Sequence, residues 1–203
     1  MRLFVAVDPP PAVLDHLAAF AAGLGLVRAG ARVTARRLWH VTVAFLGEVP
    51  QDRLPVAIGA LDTAAASVAR GYPRPVARLA GGGRFDTGRF TIVWADVQDD
   101  LAPLRRATTG ALDAATLPYD AQRFQPHLTL GRPGARVPPE VIDADLAALA
   151  GYQGPQWTIS TLTLYRGQPS PGQTYTPVHR APVSPPVGEN QAGGPAQPAP
   201  TLP

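Results

Sequence analysis

Two tetrads in the chain, His40-Val41-Thr42-Val43 and His127-Leu128-Thr129-Leu130, read His-apolar-Thr-apolar, and each is followed within four residues by glycine. The two copies, 87 residues apart, fall one in each half of the chain. The alternation within each copy requires a strand, because successive side chains on a strand point to opposite faces. His40 and Thr42 then share one face while Val41 and Val43 enter the core, and His127 and Thr129 share one face against Leu128 and Leu130. His and Thr on one strand stand roughly 6.6 Å apart, within reach of one small anion.

The remaining pattern supports two halves. Apolar β-like runs are expected at Leu3–Val7, His40–Leu46, Val76–Ala80, 90–97, His127–Leu130, Trp157–Tyr165 and Tyr175–Arg180, the last two pairing across a Pro/Gly turn. Gly47 and Gly131 read as stops to the two histidine strands. Helical spacing occupies Ala12 to about Val27, Leu54–Ala69, Leu101–Leu117 and Glu140–Ala150. The triple glycine at 81–83 reads as a turn, since no G-x-G-x-x-G follows a strand and opens a helix there. The interleaving predicts an α+β or α/β fold of two strand–helix–strand–helix–strand halves. From Ser184 to Pro203 the chain is rich in Pro and Gly and has no aromatic residue. It cannot bury enough surface to offset its ordering entropy, so a folded domain over 1–183 and a disordered tail over 184–203 are expected.

Composition narrows the chemistry. With 45% apolar and 16% charged residues, 203 residues can bury a sizeable core; 24 Pro and 20 Gly argue against a coiled coil or helical bundle. There is no cysteine, which excludes disulfides, thiolate zinc sites and cysteine nucleophiles. Every basic residue is Arg, so Schiff bases, lysyl-nucleotide intermediates and a Walker A loop are excluded, and with them a conventional ATP-dependent ligase. The net charge of +3 suits anionic partners. No apolar run reaches the roughly 18 to 20 residues of a membrane span, and the start lacks a secretory pattern, so a cytoplasmic protein without membrane attachment is expected.

Two imidazoles and two hydroxyls, with no G-x-S-x-G and no H-E-x-x-H, suit general acid–base catalysis. An unperturbed imidazole exchanges protons near neutrality, and Thr hydroxyls can donate to charge developing on phosphoryl oxygens. A two-histidine metal site is the competing reading, but no carboxylate accompanies either strand at ligand spacing. His16 and His179 lack Thr at the second following position and are expected to be structural.

The tetrads resemble the H-x-T/S-x signatures of the two-histidine (2H) phosphoesterase superfamily. The stretches RLFVAVD, HVTVAFLGEV, RFQPHLTLGR and TLTLYRGQPSPGQTYTPV are similar to its bacterial and archaeal RNA 2',3'-cyclic phosphodiesterase branch, first described as 2'-5' RNA ligases. The resemblance covers nearly all of 1–183. It implies a bilobal α+β fold in which two antiparallel sheets, related by a pseudo-twofold axis, line a central groove with helices outside. It implies hydrolysis of RNA 2',3'-cyclic phosphate ends to a 2'-phosphate by a monomer without metal or cofactor. His127 would be the base and His40 the acid, with Thr42 and Thr129 holding phosphoryl oxygens. Phe45 and Arg132, each five residues after its histidine, would sandwich a base, which requires each strand to bend near its glycine. Arg123, Tyr165, Arg166, Arg36 and Arg37 are candidate contacts to RNA phosphates. ATP-independent 2'-5' ligation, hydrolysis of other small cyclic phosphates, and non-catalytic binding of RNA ends are the alternatives.

Overall fold

The structure, a computed structural model, describes residues 1–72, 74–86, 88, 91–134, 137–168 and 174–183. The expected tail, the turn between the last two strands and the start of the 90–97 run lie outside the described residues. Among the described residues nine strands and five α-helices follow one another along the chain: β1 (Arg2–Val7), α1 (Pro11–Ala21), α2 (Gly25–Arg28), β2 (Arg32–Val33), β3 (Val41–Glu48), α3 (Leu54–Gly71), β4 (Val76–Asp86), β5 (Thr91–Gln98), α4 (Ala102–Ala114), β6 (His127–Arg132), α5 (Pro139–Ala150), β7 (Gln153–Thr158), β8 (Thr161–Gln168) and β9 (Thr174–Pro182).

The strands form two antiparallel sheets, ordered β3-β1-β8-β9 and β2-β6-β5-β4-β7. Apart from the two-residue β2, the orders correspond position by position. Each begins with a histidine strand, β3 or β6, paired to the strand that precedes it in its half, β1 or β5. This is the expected α+β, bilobal, pseudo-twofold arrangement. Two helices, α1 and α4, are exchanged between the halves. α3 packs on β8 and β9 while α4 packs on β3 and α3, so both cover the first sheet; α1 packs on β7 and α5 on β4, covering the second.

Local sequence explains the main elements. In β1, Leu3, Val5 and Val7 enter the helix-covered core while the equally buried Phe4 and Ala6 face the other way, so the whole run is apolar. α3 buries Ala57, Ala60, Leu61, Ala64, Ala65 and Val68, one helical face made mostly of alanine, which lets it lie close to its sheet. Among the described residues no helix is long and apolar enough to cross a membrane.

Several expectations are corrected. The single helix over 12–27 is two helices, because the buried Asp145 carboxylate on α5 accepts the backbone N–H groups of Gly25 (2.6 Å) and Leu26 (2.7 Å) and turns the chain there. The run 157–165 is divided between β7 and β8, which lie in different sheets, with the break at Ile159-Ser160. Neither Gly47 nor Gly131 ends its strand. The triple glycine is not a turn but the middle of β4. Gly81 has φ +74° at an irregularity in the β4–β5 pairing, and a Cβ on Gly83 would lie 2.5 Å from the Trp94 indole. The bare backbone makes room for Trp94, whose ring centroid is 5.9 Å from that of His127.

Candidate active site

His40 stands one residue before β3 and His127 is the first residue of β6, and with Thr42 and Thr129 they line one groove. Each ring is fixed in the same way. His40 Nδ1–H donates to the Leu38 carbonyl (2.7 Å), and His127 Nδ1–H to the Gln125 carbonyl (2.8 Å), each two residues earlier in the chain. A carbonyl only accepts, so Nδ1 carries the hydrogen and Nε2 is left as the nitrogen open to a ligand. Neutral, that nitrogen takes a proton; charged, it gives one.

The surroundings of the rings differ. His40 lies against Phe4 (centroids 4.9 Å apart) and edge-on to Tyr175 (5.0 Å). His127 is met edge-on by Phe85 (4.9 Å). Burial lowers the pKa of both imidazoles below the usual 6.5, opposed in each by the bond to its carbonyl and by a nearby carboxylate. For His40 that carboxylate is Asp8, one residue beyond the Val7–Val41 pair. For His127 it is Asp96, directly opposite in the β5–β6 register. The two carboxylates occupy matching places in the halves and are held by different partners. Asp8 accepts hydroxyls from Thr163 (2.9 Å) and Tyr165 (2.8 Å). Asp96 accepts the Val97 N–H (2.9 Å) and the Gln125 side-chain amide (3.2 Å).

Phe45 and Arg132 reach the groove through matching β-bulges. Val5 pairs with Ala44 and Ala6 with Thr42, leaving Val43 as an extra residue; Val93 pairs with Gly131 and Trp94 with Thr129, leaving Leu130 extra. Two consecutive buried residues follow each Thr, and alternation resumes one place later. Phe45 and Arg132 are thereby returned to the histidine face, and both line a cavity with His40 and Thr42. The bend that a base sandwich requires is therefore present, at Val43 four residues before Gly47 and at Leu130 next to Gly131.

Three adjoining cavities meet at Thr42. One, about 310 Å³, carries Arg32, Arg37 and Arg132 beside both histidines. A second, about 380 Å³, lies on the His40 side with Arg2, Phe45, Arg132 and Tyr175. A third, about 540 Å³, lies on the His127 side with Phe45, Phe85, Ile92, Arg123 and Phe124. Arg123 is thus placed at the groove. Tyr165 is not: its ring stacks on Phe4 (5.2 Å) and its hydroxyl is held by Asp8 in a cavity behind His40, while Tyr175 stands in the groove wall. Arg37 lines the groove; Arg36 is drawn off by an ion pair to Asp15 (2.7 Å), and Arg166 is exposed on β8. His16 contacts the Tyr152 hydroxyl (3.1 Å) and His179 the Asp62 carboxylate (2.7 Å), both as parts of the scaffold. Among the described residues no three His, Cys, Asp or Glu side chains converge as a metal-ligand set.

The two halves of the site are joined by Arg105 of α4. Its guanidinium donates to the carbonyl of the bulged Val43 (2.8 Å) and to the Asp120 carbonyl, and the Asp120 N–H donates to the Phe45 carbonyl (2.8 Å). The edge of β3 is thereby tied to the segment that ends in Gln125, the residue orienting His127. Sequence reading did not single out Arg105, Arg32, Asp8, Asp96, Phe85 or Tyr175. The only available signal was positional, since Asp8 and Asp96 end similar apolar runs in the two halves.

The LigT like Phosphoesterase family profile matches residues 7–79 and 93–175, most of the chain. The chain belongs to this family. A Thermus thermophilus protein named RNA 2',3'-cyclic phosphodiesterase is 30% identical over 219 aligned positions, covering 97% of this chain and 98% of its own. A solved structure from Thermus thermophilus superposes with a TM-score of 0.69 at 27% identity, covering 90% of this LigT-like chain and 98% of that one. Escherichia coli LigT complexed with ATP has the same fold, with a TM-score of 0.62 at 23% identity, covering 91% and 98%. The LigT-like relationship accounts for the two-sheet architecture, and the matched segments 7–79 and 93–175 contain both tetrads.

Proposed function

We propose that this LigT-like phosphoesterase opens the 2',3'-cyclic phosphate at RNA 3' ends, leaving a 2'-phosphate, without metal or cofactor. The observation that carries this reading is the pair of imidazoles, each locked through Nδ1 so that Nε2 is the working nitrogen, in one groove with two Thr hydroxyls. The name of the Thermus relative supplies the substrate class.

In the reaction, neutral His127 accepts a proton from water as its oxygen attacks phosphorus. The P–O3' bond breaks, and His40, protonated, gives its Nε2 proton to the departing 3' oxygen. Electrons and protons balance: one proton passes to His127, one leaves His40, and bulk water exchanges them back. Thr42 and Thr129 donate to the non-bridging oxygens, where negative charge grows. Phe45 and Arg132 hold the terminal base between an aromatic face and a guanidinium plane. The protein acts as a monomer, and residues 184–203 are dispensable for the reaction. The choice of His127 as base rests on the family resemblance, because both imidazoles are oriented alike.

The test is a short RNA ending in 2',3'-cyclic phosphate, incubated with EDTA, with the retained phosphate then mapped. A 2'-phosphate product is expected. A 3'-phosphate product, or activity abolished by EDTA and restored by a divalent cation, would overturn the reading. Adding a 5'-hydroxyl RNA end to the same reaction reports joining.

A further inference from the structure

Beyond Thr42, Phe45 and His127, the lining of the cavity on the His127 side has no part in the proposed reaction. Four large apolar side chains, Phe45, Phe85, Ile92 and Phe124, converge on it, each half-buried and so partly open to solvent. Such a patch beside a reaction centre calls for a ligand with an apolar face. Charge indicates which ligand. Arg123 stands exposed at the rim, whereas Arg105, in the same wall, is committed to the Val43 and Asp120 carbonyls. A largely apolar lining, in which the Arg105 guanidinium lies over the Phe124 ring (5.6 Å), with a further cation at its edge matches a nucleobase attached to a phosphate.

The cavity is continuous with the groove, since Thr42 and Phe45 belong to both it and the cavity on the His40 side, where Arg132 also stands. With the terminal base between Phe45 and Arg132, the adjoining cavity beyond Phe45 is open to the base of the neighbouring nucleotide.

We infer that this cavity is a second nucleobase subsite, which takes the nucleotide 5' to the cyclic-phosphate end, with Arg123 meeting the phosphate between the two nucleosides. The inference rests on the cyclic-phosphate reading above and goes further, assigning the enzyme to oligonucleotide ends rather than free cyclic mononucleotides. Because the subsite is apolar and its contacts are stacking, it favours a purine over a pyrimidine there.

The experiment compares kcat/KM for a nucleoside 2',3'-cyclic phosphate with that for the dinucleotide carrying the same terminal nucleoside and an adenosine 5' to it. The dinucleotide is expected to be better by about tenfold or more, as one stacked base provides. In Ile92→Ala and Phe124→Ala, each checked for an intact melting transition, that ratio should fall to about threefold or less. In Arg123→Gln the advantage of the dinucleotide should lose its salt dependence. Equal kcat/KM for the two substrates in the unmodified enzyme would overturn the inference, as would an undiminished ratio in both apolar variants. If neither substrate is opened, the cyclic-phosphate reading itself fails, and the subsite with it.

Discussion

Arg32 and Arg132 lie directly opposite each other across the β2–β6 ladder, and both line the groove beside His40 and Thr42. Like charges in opposed positions on antiparallel strands destabilise a sheet. Their placement favours occupation of the groove by an anion, which lowers their mutual repulsion. Arg32→Gln should raise KM for a cyclic-phosphate-ended RNA about tenfold at low salt and flatten the dependence of KM on salt. An unchanged KM and salt slope would show that the pair does not meet phosphate.

The two histidines should behave as a unit. His40→Ala and His127→Ala should each lower kcat by about 100-fold or more with the fold intact, and the double variant should be little worse than either. Steady-state kinetics with a melting curve for each protein checks this. Near-full activity in either single variant would remove the mechanism.

The pH dependence follows from burial. Both imidazole pKa values are lowered from 6.5, so the kcat/KM profile of the free enzyme should be bell-shaped with its limbs displaced to the acid side of that value. A bound phosphate anion favours the charged form, so the kcat profile should lie at higher pH than the kcat/KM profile. The sign for stability is the same. Below 6.5 the unfolded chain takes up protons that the buried rings refuse, so stability falls as pH drops from 6.5 through the folded-state values. Replacing both histidines with Gln should reduce that acid sensitivity, as thermal melting across pH 5–7 would read.

Thr42→Ala and Thr129→Ala each remove a hydroxyl donor in the groove. The loss should fall mainly on kcat, by roughly 10- to 1000-fold, because the donated bonds strengthen as charge develops. Thr→Ser at the same positions should retain most activity. A loss confined to KM would reassign the hydroxyls to ground-state binding.

Arg105 touches neither histidine, yet it ties β3 to the segment that orients His127. Arg105→Ala should lower kcat by about 10- to 100-fold with a smaller change in KM, since a shift of about 1 Å between catalytic groups is enough for that loss. Arg105→Lys should recover only part of it, because an ammonium lacks the fork that serves two carbonyls at once. Wild-type kcat in the alanine variant would show that the clamp does not set the spacing.

Much of this was legible in the tetrads. Period-two spacing put His40 with Thr42 and His127 with Thr129, and the duplication implied paired sheets. The bulges were harder to see. Strict alternation sends Phe45 and Arg132 to the core, and only the consecutive small or apolar pairs Val43-Ala44 and Leu130-Gly131 hint at the extra residue. The triple glycine looked like a turn because the partner that fills its space, Trp94, is on the neighbouring strand. Asp145, which breaks the first helix, lies more than a hundred residues from it in sequence. Arg105 was invisible for a related reason: its role is to join the Asp120 carbonyl to that of Val43, 62 residues before Arg105 in the chain.

The exchange of helices between sheets also governs how the chain must be made. β1 leaves the ribosome well before one of its two neighbours, β8, which begins only at Thr161, and α1 finds β7 only after Gln153 has emerged. Such long-range pairing gives high contact order and slow folding, on the millisecond-to-second scale common for non-local sheets. A product truncated after Ala150 would carry β1 as a bare apolar edge, open to pairing with another molecule. Neither half can serve as a free-standing module, and the groove between them is complete only once β8 and β9 have been synthesised.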